Sequence, residues 1–206
     1  TWTRDDEDGN EPSLSKCERE ALRRHRPIEE KESVRWITAY REAGKLCEQL
    51  DETRFICVAD SEADIYELLQ ESQNSAENPD WIIRACHDRS LQDNSEEDLE
   101  SSANRLIEKL ENEPVLFTQS ISVRGRKAKI SCDKRGRRQP RDSRTTEMEV
   151  RCSRVTLKAP WRHDRQLEGV SVNVVMVSEI DPPDGDVPIV WILLTSLPIE
   201  NPDQVR

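Results

Sequence analysis

The stretch Arg54-Phe-Ile-Cys-Val-Ala-Asp60-Ser-Glu62-Ala-Asp64-Ile-Tyr-Glu-Leu-Leu69 decides the fold of this chain. Residues 55–59 form a short apolar run rich in β-forming side chains and bounded by charge, so they predict one buried strand. Ser61 is a candidate helix cap, and two acidic side chains follow in the first turn, where they suit the helix dipole. Asp60 therefore ends a strand and precedes a helix, at the edge where open α/β sheets place their ligands.

Asp60 allows two interpretations. As a turn residue it would only cap the next helix. As a metal ligand it would offer oxygen to a hard divalent ion such as Mg²⁺, which prefers carboxylates, phosphate oxygens and water. The pattern of strand, acid and helix does not decide between the two, and one carboxylate does not make a complete site.

The neighbouring segments predict an α/β unit. Residues 30–50 repeat apolar side chains at three and four positions, which predicts an amphipathic core helix. A helix over 61–72 and a strand over 81–86 complete a strand, helix, strand order, so the two strands should be parallel. This order places Arg84 and His87 near the edge that carries Asp60. Taken alone, they are typical of a surface arginine and a loop histidine.

From residue 114 onward the pattern changes to short alternating runs separated by Gly, Pro and charge, which is typical of antiparallel strands. After a predicted helix at 101–110, the predicted strands cover 116–123, 127–132, 146–152, 154–157, 170–180 and 188–195. We therefore expect a β-rich part added to the α/β unit. Trp191 lies in the last run and, on the residues alone, is typical of core.

The charge of the chain is strongly partitioned. The whole chain has a net charge of −11, yet residues 121–165 carry 15 Lys and Arg against 5 Asp and Glu. The densest part of this basic island comprises Arg124, Arg126, Lys127, Lys129, Lys134, Arg135, Arg137, Arg138 and Arg141. Such a cluster can neutralise several phosphates of a nucleic acid, and a solubilising surface patch is the alternative.

The composition favours an intracellular protein outside the membrane. Hydrophobic residues make up 34% of the chain and charged residues 35%, and no run of about 18 apolar residues occurs. No signal peptide is visible at the start. The six cysteines show no C-x-x-C pair, and Cys57 and Cys86 lie in apolar runs, so buried reduced thiols are favoured over disulfides or a zinc framework.

Five stretches, in order, resemble the insertion-sequence-four family of bacterial DDE transposases. The stretch Val58-Ala-Asp60-Ser-Glu62-Ala-Asp64-Ile resembles the D-R-E-A-D-I motif around the second catalytic aspartate of that family, with Ser61 in place of the family arginine. The other four begin at Glu30, Trp81, Asp133 and Pro182, and the last of them contains Trp191. The resemblance extends from about residue 29 to residue 200.

The resemblance implies a fold and a set of site residues. Residues 29–112 would be part of a ribonuclease-H-like core, 113–188 a β-rich DNA-binding insertion, and 189–206 a return strand to the core and a truncated end. Residues 1–28, by their charge runs alone, are predicted to be an irregular charged segment. The resemblance implies that Asp60 is a catalytic metal ligand and that Trp191 stacks on a base flipped out of the transposon end. The implied contacts to DNA are Arg84, His87, Arg126, Lys127, Lys134, Arg135, Arg137, Arg138 and Trp191.

The implied reaction is cleavage and strand transfer on double-stranded DNA with two Mg²⁺ or Mn²⁺ ions. The partners would be transposon ends, target DNA and a second copy in a synaptic complex, in the bacterial cytoplasm. The family also uses an earlier aspartate and a later glutamate, and neither is present here. We therefore expect a central fragment that binds DNA but does not cut it alone.

Two alternatives remain open. The chain could be a non-catalytic DNA-binding remnant or regulatory truncated transposase, in which Asp60 has no catalytic role. It could also use Asp60 and Glu62 as the D-x-E motif of a proofreading-type exonuclease. That interpretation needs two later acids in helices, and the β-rich half offers no obvious pair.

Overall fold

The computed structural model describes residue 15 and residues 26–50, 52–74, 78–92, 104–127, 140–162 and 165–206. Its centre is a single mixed sheet of six strands in the order β1-β2-β6-β5-β4-β3. The strands are β1 (Ile56–Ala59), β2 (Asp80–Arg84), β3 (Phe117–Val123), β4 (Arg144–Leu157), β5 (Val170–Glu179) and β6 (Val190–Thr195). Strands β1 and β2 are parallel, and all other neighbours are antiparallel. The predicted α/β class and the parallel β1–β2 pair are confirmed.

Helices cover one face of this sheet. They are α1 (Val34–Cys47), α2 (Tyr66–Glu71) and α3 (Leu106–Glu111), and a short helix α4 (Pro202–Val205) ends the chain. Apolar side chains of the first three helices are buried against alternate residues of the strands, because strand side chains point to opposite faces in turn. This core includes Tyr40, Tyr66, Leu69, Leu106, Leu110, Trp81, Ile83, Val172, Val174 and Leu194. We call this side of the sheet the helix-covered face.

The opposite side is the open face, which carries Val58, Ile82, Arg84, Leu193 and Trp191. The C-terminal segment crosses its far half: the Asn173 side-chain amide donates to the Leu197 carbonyl at 2.7 Å, and the Arg206 guanidinium lies 4.9 Å from the centre of the Phe117 ring. The half formed by β1 and β2 lacks such a cover among the described residues. Val58 is 75% exposed and Ile56 45%.

The prediction that residues 55–59 form a buried strand is therefore wrong. β1 is an outermost strand of the sheet, with a neighbour on one side only. The helices shield only the side chains that alternate with Ile56 and Val58. Cys57 and Ala59, which point to the helix-covered face, are half-buried against the core. An apolar run shows that a strand can be buried, but its neighbours in the fold decide whether it is.

The helix predicted over 61–72 is broken in two. A 3₁₀ turn, Ser61–Ala63, is capped by Asp60, whose side chain accepts from the Glu62 amide, so the predicted cap at Ser61 is wrong. Asp64 and Ile65 then leave helical geometry, and α2 starts only at Tyr66. The break occurs because the Asp64 side chain is turned inward, toward the turn that follows β2.

Other boundaries shift by a few residues. The helix predicted over 30–50 is α1 preceded by a 3₁₀ turn, Ile28–Glu30, and the two strands predicted over 146–157 are one strand, β4. The strand predicted over 127–132 lies almost wholly outside the described residues. The predictions for β3, β5 and β6 are confirmed to within two residues at each end.

Strand β6 connects the two halves of the chain. It pairs with β2 on one side, with Ile83 opposite Leu194, and with β5 on the other, with Val174 opposite the same leucine. The α/β unit and the antiparallel strands therefore share one sheet. No helix in the described ranges is long and apolar enough to cross a membrane.

Four cysteines, Cys47, Cys57, Cys86 and Cys152, are described, and all four are free thiols. Cys57 is half-buried, in keeping with its place on the helix-covered face. Cys86 is exposed, so its predicted burial is wrong. The reason is that β2 ends at Arg84, and Cys86 belongs to the turn that follows rather than to the strand.

Candidate functional site

The carboxyl ends of β1 and β2 bring Asp60 and Arg84 to one edge of the sheet. The last register pair of these strands is Ala59 with Ile83, so Asp60 and Arg84 follow at the same level. Asp60 has extended backbone, and it continues the alternation of Val58 on the open face. Both residues are exposed. The predicted proximity of the two residues is thus present in the fold.

Trp191 lies at the same edge and on the same face. Arg84 is opposite Leu193 of β6, and Trp191 is two residues before Leu193, so all three share the open face. The Ala85 amide donates to the Ile192 carbonyl at 2.8 Å, which extends the pairing of β2 and β6 beyond Arg84. Trp191 is 38% exposed, more than its prediction as a core residue allows.

Asp60 serves as a cap and remains open to solvent. Its Oδ1 accepts from the Glu62 amide at 2.9 Å, so the capping interpretation is confirmed. The neighbouring Glu62 carboxylate is paired with Arg35. An exposed carboxylate with one oxygen in a cap fits a single ligand position for Mg²⁺ or Mn²⁺, and the role as a metal ligand stays a prediction.

Asp64, only four residues later, is buried and heavily bonded. Its Oδ2 accepts from the amides of Cys86 at 2.8 Å and His87 at 3.2 Å. Its Oδ1 accepts from Arg89 Nε at 3.1 Å and from Arg89 Nη2, and the same guanidinium donates to the Asp64 carbonyl at 3.0 Å. The side chain of Asp64 is 0% exposed and that of Arg89 13%. This role was not predicted, because Asp64 fits equally well as a first-turn charge.

Asp64, Cys86 and His87 are the one group of three possible metal ligands found in the described part of the chain, with ligand atoms within 4.8 Å of one another. Thiol and imidazole ligands do not suit Mg²⁺. The Asp64 carboxylate already accepts four hydrogen bonds, its usual capacity. Partial desolvation and the charge of Asp64 raise the pKa of Cys86, which disfavours the thiolate that a metal needs. This group is therefore a hydrogen-bonding cluster and not a fit for the predicted cofactor.

His87 and part of the basic cluster lie at the same edge of the sheet. His87 is exposed on the turn after β2. Because β3 runs in the same direction as β1 and β2, its end brings Arg124, Arg126 and Lys127, all exposed, to the edge that carries Asp60. Arg126 and Arg141 pair through their backbones at 2.7 and 2.9 Å, which closes the base of the hairpin between β3 and β4. The predicted contacts Lys134, Arg135, Arg137 and Arg138 lie outside the described residues.

A second, partly buried ion network lies at this edge. Arg144 donates to Glu179 at 2.8 and 2.9 Å and to Asp186 at 2.8 Å. The Glu179 side chain is 0% exposed and also accepts from the Ile189 amide at 3.1 Å. The bonds from Arg144 hold the pKa of Glu179 below its usual range. This network fixes the start of β6, and it was not predicted because its members are far apart in sequence.

Comparison with models of known protein families finds none that matches this chain.

Proposed function

We propose that this chain is the central, DNA-binding part of a DDE transposase of the insertion-sequence-four type. The observation that carries the proposal is that Asp60, Arg84 and Trp191 share one edge and one face of the sheet. The basic end of β3 lies along the same edge, separated from β6 by β5 and β4. These are the residue types that a site for DNA chemistry requires: a carboxylate, a phosphate-binding cation and an exposed aromatic ring.

The finer fold belongs to the same proposal. The parallel β1–β2 pair with its helical crossover is compatible with part of a ribonuclease-H-like core. Strands β3, β4 and β5 would then be the β-rich insertion, and β6 the return strand. The continuous sheet supports such an arrangement without requiring it.

Each residue has a physical role in this proposal. Arg84, His87, Arg126 and Lys127 would neutralise phosphates and fix the register of the duplex without reading its sequence. Trp191 would offer an aromatic face to an unstacked base and so replace the stacking that the base gives up. Asp60 would hold divalent ions, which supply activation of the attacking oxygen and stabilisation of the leaving one.

The direct test is DNA binding by the chain. Fluorescence anisotropy with a labelled duplex that carries an unpaired base near its end should show binding that weakens with salt. The variant Arg84→Ala/His87→Ala should bind at least about fivefold more weakly, a loss of about 1 kcal/mol. Lys45→Ala/Arg54→Ala, a matched removal of positive charge at the opposite edge, should bind like the wild type. Equal losses in both variants would contradict the assigned interface.

A non-catalytic DNA-binding protein is the second candidate. It is favoured by the observation that Asp60 belongs to no group of three ligands within the described ranges. Paramagnetic broadening by Mn²⁺ of NMR signals around Asp60 in the DNA complex separates the two. The transposase proposal expects broadening that Asp60→Asn removes, whereas the second candidate expects none in either protein.

A further inference from the structure

We propose that Asp64 is a positioning residue, whose carboxylate locks the turn that follows Arg84 and carries His87 to the segment that carries Asp60. The inference rests on the proposed function for its effect on DNA, but the lock itself is a property of the fold. It assigns a separate task to the second aspartate of the Asp60-Ser-Glu-Ala-Asp64 stretch. In this proposal Asp60 binds the divalent ion, and Asp64 fixes the position of the turn beside Asp60.

The hydrogen bonds make Asp64 the junction of two chain segments. Residues 60–65 follow β1, and residues 85–89 follow β2. Oδ2 of Asp64 accepts from two successive amides of the second segment, and Oδ1 accepts from Arg89, two residues further on. Three of the four residues 86–89 are thus hydrogen-bonded to Asp64, and these bonds restrict the conformation of the turn. The direction in which the His87 side chain projects from the backbone therefore depends on Asp64.

The second half of the lock is Arg89. Its guanidinium bonds both the side chain and the carbonyl of Asp64, and it lies 5.6 Å from the centre of the Tyr66 ring. The Arg89 carbonyl accepts from the Leu106 amide at 2.9 Å, so the same residue ties the turn to α3. With both side chains largely buried, replacing either partner leaves the other without its hydrogen bonds in a largely buried site.

The first experiment is a thermodynamic cycle on DNA affinity. Asp64→Asn keeps the shape of the side chain but replaces one acceptor oxygen by a donor, so it cannot accept from all four groups. We expect it to weaken DNA binding about fivefold. In the Arg84→Ala/His87→Ala background the same substitution should change the affinity less than about twofold, because the side chains through which it acts are absent. An equal loss in both backgrounds would overturn the proposal.

Arg89→Lys covers the case in which Asp64→Asn does not fold. It keeps the positive charge, and the Cys86 and His87 amides can still donate to Asp64. A lysine has one side-chain nitrogen, so it cannot replace the contact that two guanidinium nitrogens of Arg89 make with Asp64. It should give a smaller loss of DNA affinity with the same dependence on Arg84 and His87. Asp203→Asn is the matched control, since Asp203 is 93% exposed at the opposite end of the chain, and it should bind DNA like the wild type.

The second experiment tests the lock without DNA. Hydrogen exchange followed by NMR should show the Cys86 and His87 amides protected in the wild type, and about tenfold or more faster in Asp64→Asn. The Ile83 and Leu194 amides, in the sheet, should keep their rates. Faster exchange at 86 and 87 with no DNA binding by any variant would retain the lock and reject the proposed function. Unchanged exchange at these two amides would reject the lock.

Discussion

Asp60 and Arg84 leave two adjacent parallel strands at the same level, directly after the paired residues Ala59 and Ile83. A carboxylate and a guanidinium are thus side by side on an exposed face. A phosphodiester bound by Arg84 would stand next to the negative charge of Asp60. If Asp60 held a divalent cation, the charge of that ion would offset the repulsion and supply the charge stabilisation that metal-dependent phosphoryl transfer needs.

The cap and the proposed ligand role of Asp60 can be separated by two substitutions. Asp60→Asn keeps a capping oxygen but loses the charge, so we expect a change in unfolding free energy of a few tenths of a kcal/mol at most. Asp60→Ala removes the cap and should cost about 1 kcal/mol. Urea denaturation measures both. A large loss of stability in Asp60→Asn would mean that the carboxylate itself holds the fold together.

The basic end of β3 should govern the salt dependence of DNA binding. The slope of log K against log salt is negative, and each phosphate that the protein no longer neutralises reduces its magnitude by about 0.9. Arg126→Ala/Lys127→Ala should therefore reduce the magnitude of the slope by about 1.8. The affinity should fall for every duplex alike, since phosphate contacts carry no sequence information. Titrations at several salt concentrations give the slope. An unchanged slope would show that these two cations face away from the DNA.

Trp191 should matter most for DNA with an unstacked base. Trp191→Ala is expected to weaken binding of a duplex with an unpaired base about tenfold, since stacking on an aromatic ring contributes roughly 1–3 kcal/mol per base. Trp191→Phe should recover much of this affinity, and a fully paired duplex should be affected less. Trp161→Ala is the control, because Trp161 is 71% exposed on another loop. Equal losses for both duplexes would argue against stacking.

The Arg144–Glu179 pair should make the free energy of unfolding depend on pH under acidic conditions. The pKa of Glu179 is lowered in the folded protein, so the stability that it contributes is complete above the pKa of an unfolded glutamate, about 4.3. This contribution declines as the pH falls through the lower, folded-state value. Glu179→Gln should lower the Tm at pH 7 by on the order of 5 °C.

The Tm difference between wild type and Glu179→Gln should shrink as the pH is taken from 7 to 3, as followed by circular dichroism. Glu147→Gln, an exposed glutamate on the same sheet, should leave the Tm unchanged. A Tm difference for Glu179→Gln that stayed constant with pH would assign the loss to packing instead of charge.

The parallel β1–β2 unit and strands β3, β5 and β6 could be predicted from sequence because their signals are local: apolar runs, alternation and turn residues. The placement of Asp60 and Arg84 at one edge followed from the same order of elements. The exposure of Val58 could not be predicted, since it depends on which face the helices cover. Asp64 with Arg89, 25 residues apart, and Arg144 with Glu179, 35 apart, were missed because buried charge and surface charge look alike in sequence.

The position of β6 between β2 and β5 has a consequence for how the chain folds during synthesis. Strand β2 ends more than a hundred residues before its partner β6 begins, so the ribosome exposes β1, α2 and β2 long before their sheet can close. Contacts this distant in sequence form slowly. The β3–β4–β5 hairpins should form first and β6 last, and until then the unpaired edge of β2 is the segment most open to aggregation or to a chaperone.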